Sequence, residues 1–154
     1  MSTAADTLYE TDFYAWLQQQ ARAIRTRNFA HLDWDNLVEE IEDMGKNHQR
    51  ALQSRLEVLL MHLLKWQFQP ERQSRSWSFT IKEQRLRLTE LLSLNPSLKS
   101  KIADAQIKAY RYALFAAAEE TGLDRAGFPA ECPWTFEQIM DEQFWPTAEK
   151  QTST

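Results

Sequence analysis

The chain has 154 residues, 43% of them hydrophobic and 26% charged, with a net charge of −4. That is the profile of a soluble globular protein long enough to build a core unaided. A single cysteine, Cys132, excludes an internal disulfide, and the longest apolar run, from Val58 to Leu64 and broken by His62, is far short of a membrane span of roughly 20 residues. The opening residues Met1 to Asp6 lack the basic and apolar pattern of a secretory leader, so a cytoplasmic protein is expected. Glycine is scarce, with only Gly45, Gly122 and Gly127, and Leu, Glu, Gln, Arg and Ala are plentiful; few breakers and many helix formers predict helices.

Residues 1–10 are expected to be disordered. A first helix is predicted from Thr11 or Asp12 to about Arg27, with Phe13, Trp16, Leu17, Gln20 and Ile24 on one face. Asp12 stands at the positive end of its dipole, and Arg25 and Arg27 at the negative end. Asp33 or Asp35 can cap the next helix, a long one over 34–68. Its apolar face reads Trp34, Leu37, Val38, Ile41, Met44, Ala51, Leu52, Leu59, Leu63 and Trp66. Gly45 lies on that face and points to either a kink or a close helix crossing. The periodicity keeps its phase through it, so a continuous or mildly bent helix is expected. Ile41, His48, Arg55 and His62 drift by only about 20° per step, which brings three polar residues onto or beside the inward stripe.

Pro70 ends the long helix, and residues 70–76 read as a loop. The next helix is predicted to start near Ser76 or Thr80, where Thr80 and Glu83 fit a capping box, and to bury Ile81, Leu88, Leu91 and Leu92. Asn95-Pro96 predicts a restart, with Asn as cap and Pro at the first helical position. That helix carries Leu98, Ile102, Ala105, Ala109, Tyr112, Ala113 and Ala116 on one side and stops at Gly122. An irregular loop over 123–134 leads to a second capping box, Thr135 with Gln138. This opens a short helix with Phe136, Ile139, Met140 and Phe144 inside. The tail 147–154 is expected to be disordered. The sum is an all-α, single-domain bundle of about five helices over 11–146, with the helix 34–68 at its centre.

Charge is layered along the chain. Residues 1–45 carry nine acids and three bases, residues 46–111 five acids and thirteen bases, and residues 112–154 eight acids and two bases. Either the basic middle pairs with the acidic ends inside the fold, or it forms a basic face for nucleic acid or an acidic partner. The segment 62–87 concentrates the candidates: His62, Lys65, Trp66, Arg72, Arg75 and Trp77, with Phe68, Phe79, Lys82, Arg85 and Arg87. Cations interleaved with aromatics can hold phosphates and stack bases. The alternative is that Trp66 and Trp77 anchor the core around the turn, with Arg72 and Arg75 paired to Glu39–Asp43.

Glu39 and Glu42 share a helix edge as carboxylate candidates, but a di-metal bundle needs Glu-x-x-His pairs. Gly45 precedes His48 by three residues and Leu59 precedes His62. His48 and His62 are about 21 Å apart by helical rise, and Glu42 and His62 about 30 Å. No metal site is therefore expected, and His62 is expected to hydrogen-bond to a Glu, a Tyr or a backbone carbonyl. Cys132 sits among acids, the wrong setting for a reactive thiol. No catalytic residue and no cofactor is predicted.

Certain words recur together: Asp12-Phe13-Tyr14-Ala15-Trp16-Leu17, Leu37-Val38-Glu39-Glu40-Ile41-Glu42-Asp43-Met44-Gly45 and His62-Leu63-Leu64-Lys65-Trp66. Gln69-Pro70-Glu71, Ser76-Trp77, Asn95-Pro96-Ser97-Leu98 and Cys132-Pro133-Trp134 follow. In this order they resemble the bacterial "domain of unknown function 29" family, abundant in photosynthetic bacteria, over roughly 7–146. The resemblance implies an all-α fold and no established activity. The expected function is a non-catalytic interaction protein acting through helix-mediated contacts with another protein or a second copy, with no membrane partner. The alternatives are a nucleic-acid-associated protein using 62–87 and an enzyme or metal protein with a site near His62.

Overall fold

The computed structural model describes residues 4–148. It has six α-helices: α1 (Ala4–Thr11), α2 (Phe13–Arg25), α3 (Trp34–Phe68), α4 (Arg75–Leu94), α5 (Ile102–Thr121) and α6 (Phe136–Met140). Short 3-10 turns at Phe29–His31, Pro70–Arg72, Pro96–Lys101 and Arg125–Gly127 join them, and no strand occurs among the described residues. The all-α fold and the long helix over 34–68 stand as the periodicity predicts. α1 is helical where a disordered start is the expectation from the sequence, while residues 1–3 and 149–154 lie outside the described residues.

Contacts divide the chain into two compact units, residues 1–47 and 48–154. The boundary falls inside α3, not in a linker. Between Met44 and Ala51 the helix reads Gly45-Lys46-Asn47-His48-Gln49-Arg50, nearly two turns with no apolar side chain. Gly45 causes neither a break nor a close crossing: α3 is unbroken and nothing lies within 4 Å of where its Cβ would stand.

The first unit is organised around Trp16. The Asp12 carboxylate caps α2 by accepting from the Ala15 N–H at 3.0 Å. α2 stops at Arg25, two residues short of the predicted end, where Arg27 turns into the left-handed region (φ 59°). The Trp16 indole N–H donates to Asp33 at 3.0 Å, the Asp33 N–H donates to the Gln20 side-chain carbonyl at 2.8 Å, and Asn36 donates to Asp33 at 2.8 Å. The Asp33 bond satisfies the side-chain carbonyl of Gln20, a buried polar residue on the apolar face, while its amide nitrogen has no hydrogen-bond partner among the described residues. Tyr9 lies edge-on to Trp16 and donates its hydroxyl to Glu40, which pushes the phenol pKa up to about 12.

The second unit holds the main core. Leu52, Leu56, Leu59, Leu60, Leu63 and Leu64 of α3 are fully buried against Ile81 and Leu88 of α4 and Ala109, Ala113 and Ala117 of α5. The alanines give α5 a low face toward these leucines. α4 starts earlier than predicted: Ser74, not Ser76 or Thr80, is its cap, accepting from the Trp77 N–H at 3.2 Å. Thr80 sits inside the helix and bonds back to the Ser76 carbonyl. Asn95-Pro96 opens a 3-10 turn, and α5 proper begins only at Ile102. On α5 it is Tyr110 that is buried, while Tyr112 is exposed. Gly122 ends α5 with φ 71°, and Thr135 with Gln138 forms the predicted capping box on α6.

Candidate functional site

The basic, aromatic segment is divided: Lys65, Trp66 and Arg85 turn inward, while Arg72, Arg75, Phe79 and Lys82 are exposed. Lys65 is buried at the last turn of α3, where its ammonium donates to Glu120 on α5 at 2.6 Å and lies 4.7 Å from the centre of the Trp77 ring on α4. One cation thereby ties three helices together. One turn back, the His62 Nδ1–H donates to the Val58 carbonyl of its own helix at 2.7 Å, one of the partners expected for it. Burial lowers the pKa of His62, the Lys65 charge lowers it further, and the Val58 bond and Glu120 oppose the shift. His62 is neutral at pH 7.

Trp66 packs on Trp145, ring centres 4.7 Å apart, and both lie against the core. Trp66 therefore anchors the turn and is not displayed as a stacking surface, while Trp77 is half-buried beside Lys65. Arg85, buried on the inner face of α4, donates to the carbonyls of Ile139 (2.8 Å) and Phe144 (2.7 Å), and its guanidinium lies 5.4 Å from the Trp145 ring. Arg87 pairs with Glu83 along α4 at 2.8 Å. Arg72 and Arg75 are exposed and make no ion pair among the described residues.

The candidates are thus not one constellation. His62, Lys65 and Trp77, with Trp66 adjoining, come together in the second unit around Glu120; Arg72 and Arg75 stand apart in solvent. Glu39 and Glu42 belong to the first unit and are exposed, and Lys46 approaches Asp43 at 4.0 Å. Among the described residues no three His, Cys, Asp or Glu side chains gather to hold a metal ion. Arg85, one of the cations of the segment 62–87, falls in the inward row Ile81, Arg85, Leu88, Leu92 at 4-3-4 spacing. Glu120 is not among the residues the sequence singles out, because it lies in a polar pair, Glu119-Glu120, near a helix end.

A hollow of about 660 Å³ opens beside α5, against the loop that carries Ala130, Glu131 and Cys132. That loop is fixed to α5 by two side chains. The Tyr110 hydroxyl donates to the Pro129 carbonyl at 2.5 Å, and the Gln106 amide donates to the Trp134 carbonyl at 3.1 Å and contacts the Cys132 sulfur at 3.5 Å. Burial pushes the Cys132 thiol pKa up, which leaves it protonated and a poor nucleophile at neutral pH.

The first unit has a different surface. On its part of α3, Trp34, Val38 and Ile41 are 59%, 51% and 61% exposed, although they share one side of the helix. Phe13, Tyr14, Ile24 and Phe29 of the same unit are exposed as well.

The described residues define an all-α protein whose longest helix has 35 residues. No described helix is long and apolar enough to cross a membrane. The model of the family described as "Domain of unknown function DUF29" matches residues 8–145, and the chain belongs to that family. No curated protein and no solved structure matches it.

Proposed function

We propose that this is a non-catalytic interaction protein of the bacterial cytoplasm, and that its first unit docks a partner helix along α3. The observation that carries this reading is the exposed side of Trp34, Val38 and Ile41. Scattered apolar residues on a surface are ordinary, but contiguous ones mark contact sites. Spacing of 4 and 3 along a helix is the geometry of helix-on-helix docking.

Charge chooses the partner. Residues 1–47 carry nine acids and four bases, and Asp35, Glu39 and Glu42 line one edge of the apolar stripe. A second copy would bring like charge to the same place, so the occupant is a basic amphipathic helix of another protein. The nucleic-acid alternative has less support because Lys65 and Arg85 are buried and paired and Trp66 packs on the core, which leaves Arg72, Arg75, Phe79 and Lys82 as the exposed part of that segment.

The test is titration with a helical peptide built from Leu and Lys, read by tryptophan fluorescence at low and high salt, with the mass of the protein alone measured by light scattering. Binding that weakens with salt and is lost in Val38→Ser/Ile41→Ser supports the reading. Lack of binding at low salt would sink it. A dimer that dissociates in the same variant would replace the basic partner with a second copy.

A further inference from the structure

The hollow beside α5 has a chemistry that helix docking does not use. One wall is apolar, formed by Ala103, Ile107 and Leu114, and Arg111 and Arg125 stand over it. Neither guanidinium has a hydrogen bond or ion pair from its side chain among the described residues. Glu131 is the one acid on the lining, so the site is net cationic. The volume of about 660 Å³ falls within the roughly 300–1,000 Å³ of small-molecule sites. A second hollow of about 370 Å³ continues along α5 past Phe115 and Leu123 and shares Arg125 with the first. Arg125 therefore stands where the two meet. Large apolar groups, Ile107 and Phe115, are left 64% and 57% exposed beside it.

We propose that this cleft binds an anionic amphiphile: an acyl or alkyl chain ending in a carboxylate or phosphate. The chain lies along the apolar wall of α5, and Arg111 and Arg125 grip the head group. Guanidinium is the side chain suited to both heads, because its fork of N–H donors matches two oxygens at once. The walls are preformed, since the Tyr110 and Gln106 bonds hold the facing loop in place before any ligand arrives.

The experiment uses the full chain, with decanoate, decyl phosphate, decanol and decyltrimethylammonium titrated below their micelle thresholds. Binding is followed by calorimetry and by the NMR signals of the Gln106 side-chain amide. Decanoate, decyl phosphate or both are expected to bind one per chain and to shift that amide. Decanol and the cation are expected to bind at least roughly tenfold more weakly. Arg111→Gln and Arg125→Gln, both at exposed positions, should each weaken binding by roughly tenfold with the helical CD spectrum unchanged. Decanoate alone or decyl phosphate alone identifies the head group. The proposal is overturned by equal affinity for decanol, by unaltered affinity in both arginine variants, by shifts confined to residues 8–47, or by no binding at about 1 mM.

Discussion

The two ends of the Lys65–Glu120 bridge are unequally placed, and that inequality predicts unequal mutants. The Lys65 side chain is 7% exposed and that of Glu120 51%. Removing one member of a buried pair costs about 3–5 kcal/mol when the other is left charged in a dry site. Glu120→Ala leaves the ammonium stranded, softened by the Trp77 ring, and its expected cost is about 3 kcal/mol. Lys65→Met leaves a carboxylate that water already reaches. It also keeps the volume and the unbranched stem, so the expected cost is about 1 kcal/mol. The double variant should resemble Lys65→Met alone, because Glu120 has no second task there. The assay is urea unfolding followed by tryptophan fluorescence, since four of the six tryptophans lie in the second unit. With a slope near 2 kcal/mol per molar, a difference of about 2 kcal/mol separates the two midpoints by roughly 1 M. Equal losses, or a larger loss for Lys65→Met, would refute the argument that exposure of the surviving partner sets the cost.

Three further outcomes follow from single residues. The pKa of His62 is lower folded than unfolded, so the unfolded chain binds the proton first. Its contribution is neutral above about pH 6.5 and destabilising as pH falls below that; His62→Gln should flatten the loss of Tm between about pH 7 and 5. Arg85→Met removes two bonds to the carbonyls of Ile139 and Phe144 and should cost about 2–4 kcal/mol. It should also expose the 139–145 segment to limited proteolysis, and unchanged digestion would contradict the clasp. Gly45→Ala should raise the unfolding free energy by up to about 1 kcal/mol, because open space surrounds the position in an unbroken helix; a destabilised variant in urea unfolding would show that the glycine is needed.

Helical periodicity carried most of the fold into view, because Leu52 to Leu64, Ile81 to Leu92 and Ala105 to Ala113 repeat at the spacing that packing requires. The cap at Thr135 was readable because the side chain and the backbone agree there, whereas Asp12, placed at the start of its helix by the dipole, is also its cap. The capping pattern failed at Thr80, whose fit to it is matched by a better-placed Ser74. The division of α3 between two units was hidden because the spacing of Trp34, Val38 and Ile41 continues that of the buried leucines, while their surroundings differ. Periodicity says which side chains share a face but not what covers it. The Lys65 site was half legible for a similar reason. A cation amid Leu63, Leu64 and Trp66 signals a partner, but the partner lies 55 residues on, and nothing local points to it.

The Arg85 clasp has a consequence for the order of events during synthesis. The ribosome makes α4 long before the carbonyls that Arg85 requires, which belong to residues 54 and 59 positions later. At roughly 5–20 residues per second, that interval is about 3–12 s. Throughout it the nascent chain holds a guanidinium on the face meant for the core, bonded to water. Burying that guanidinium without its partners would cost several kcal/mol, so the α3–α4 pair gains less from closing over it until the residues that complete the fold have arrived.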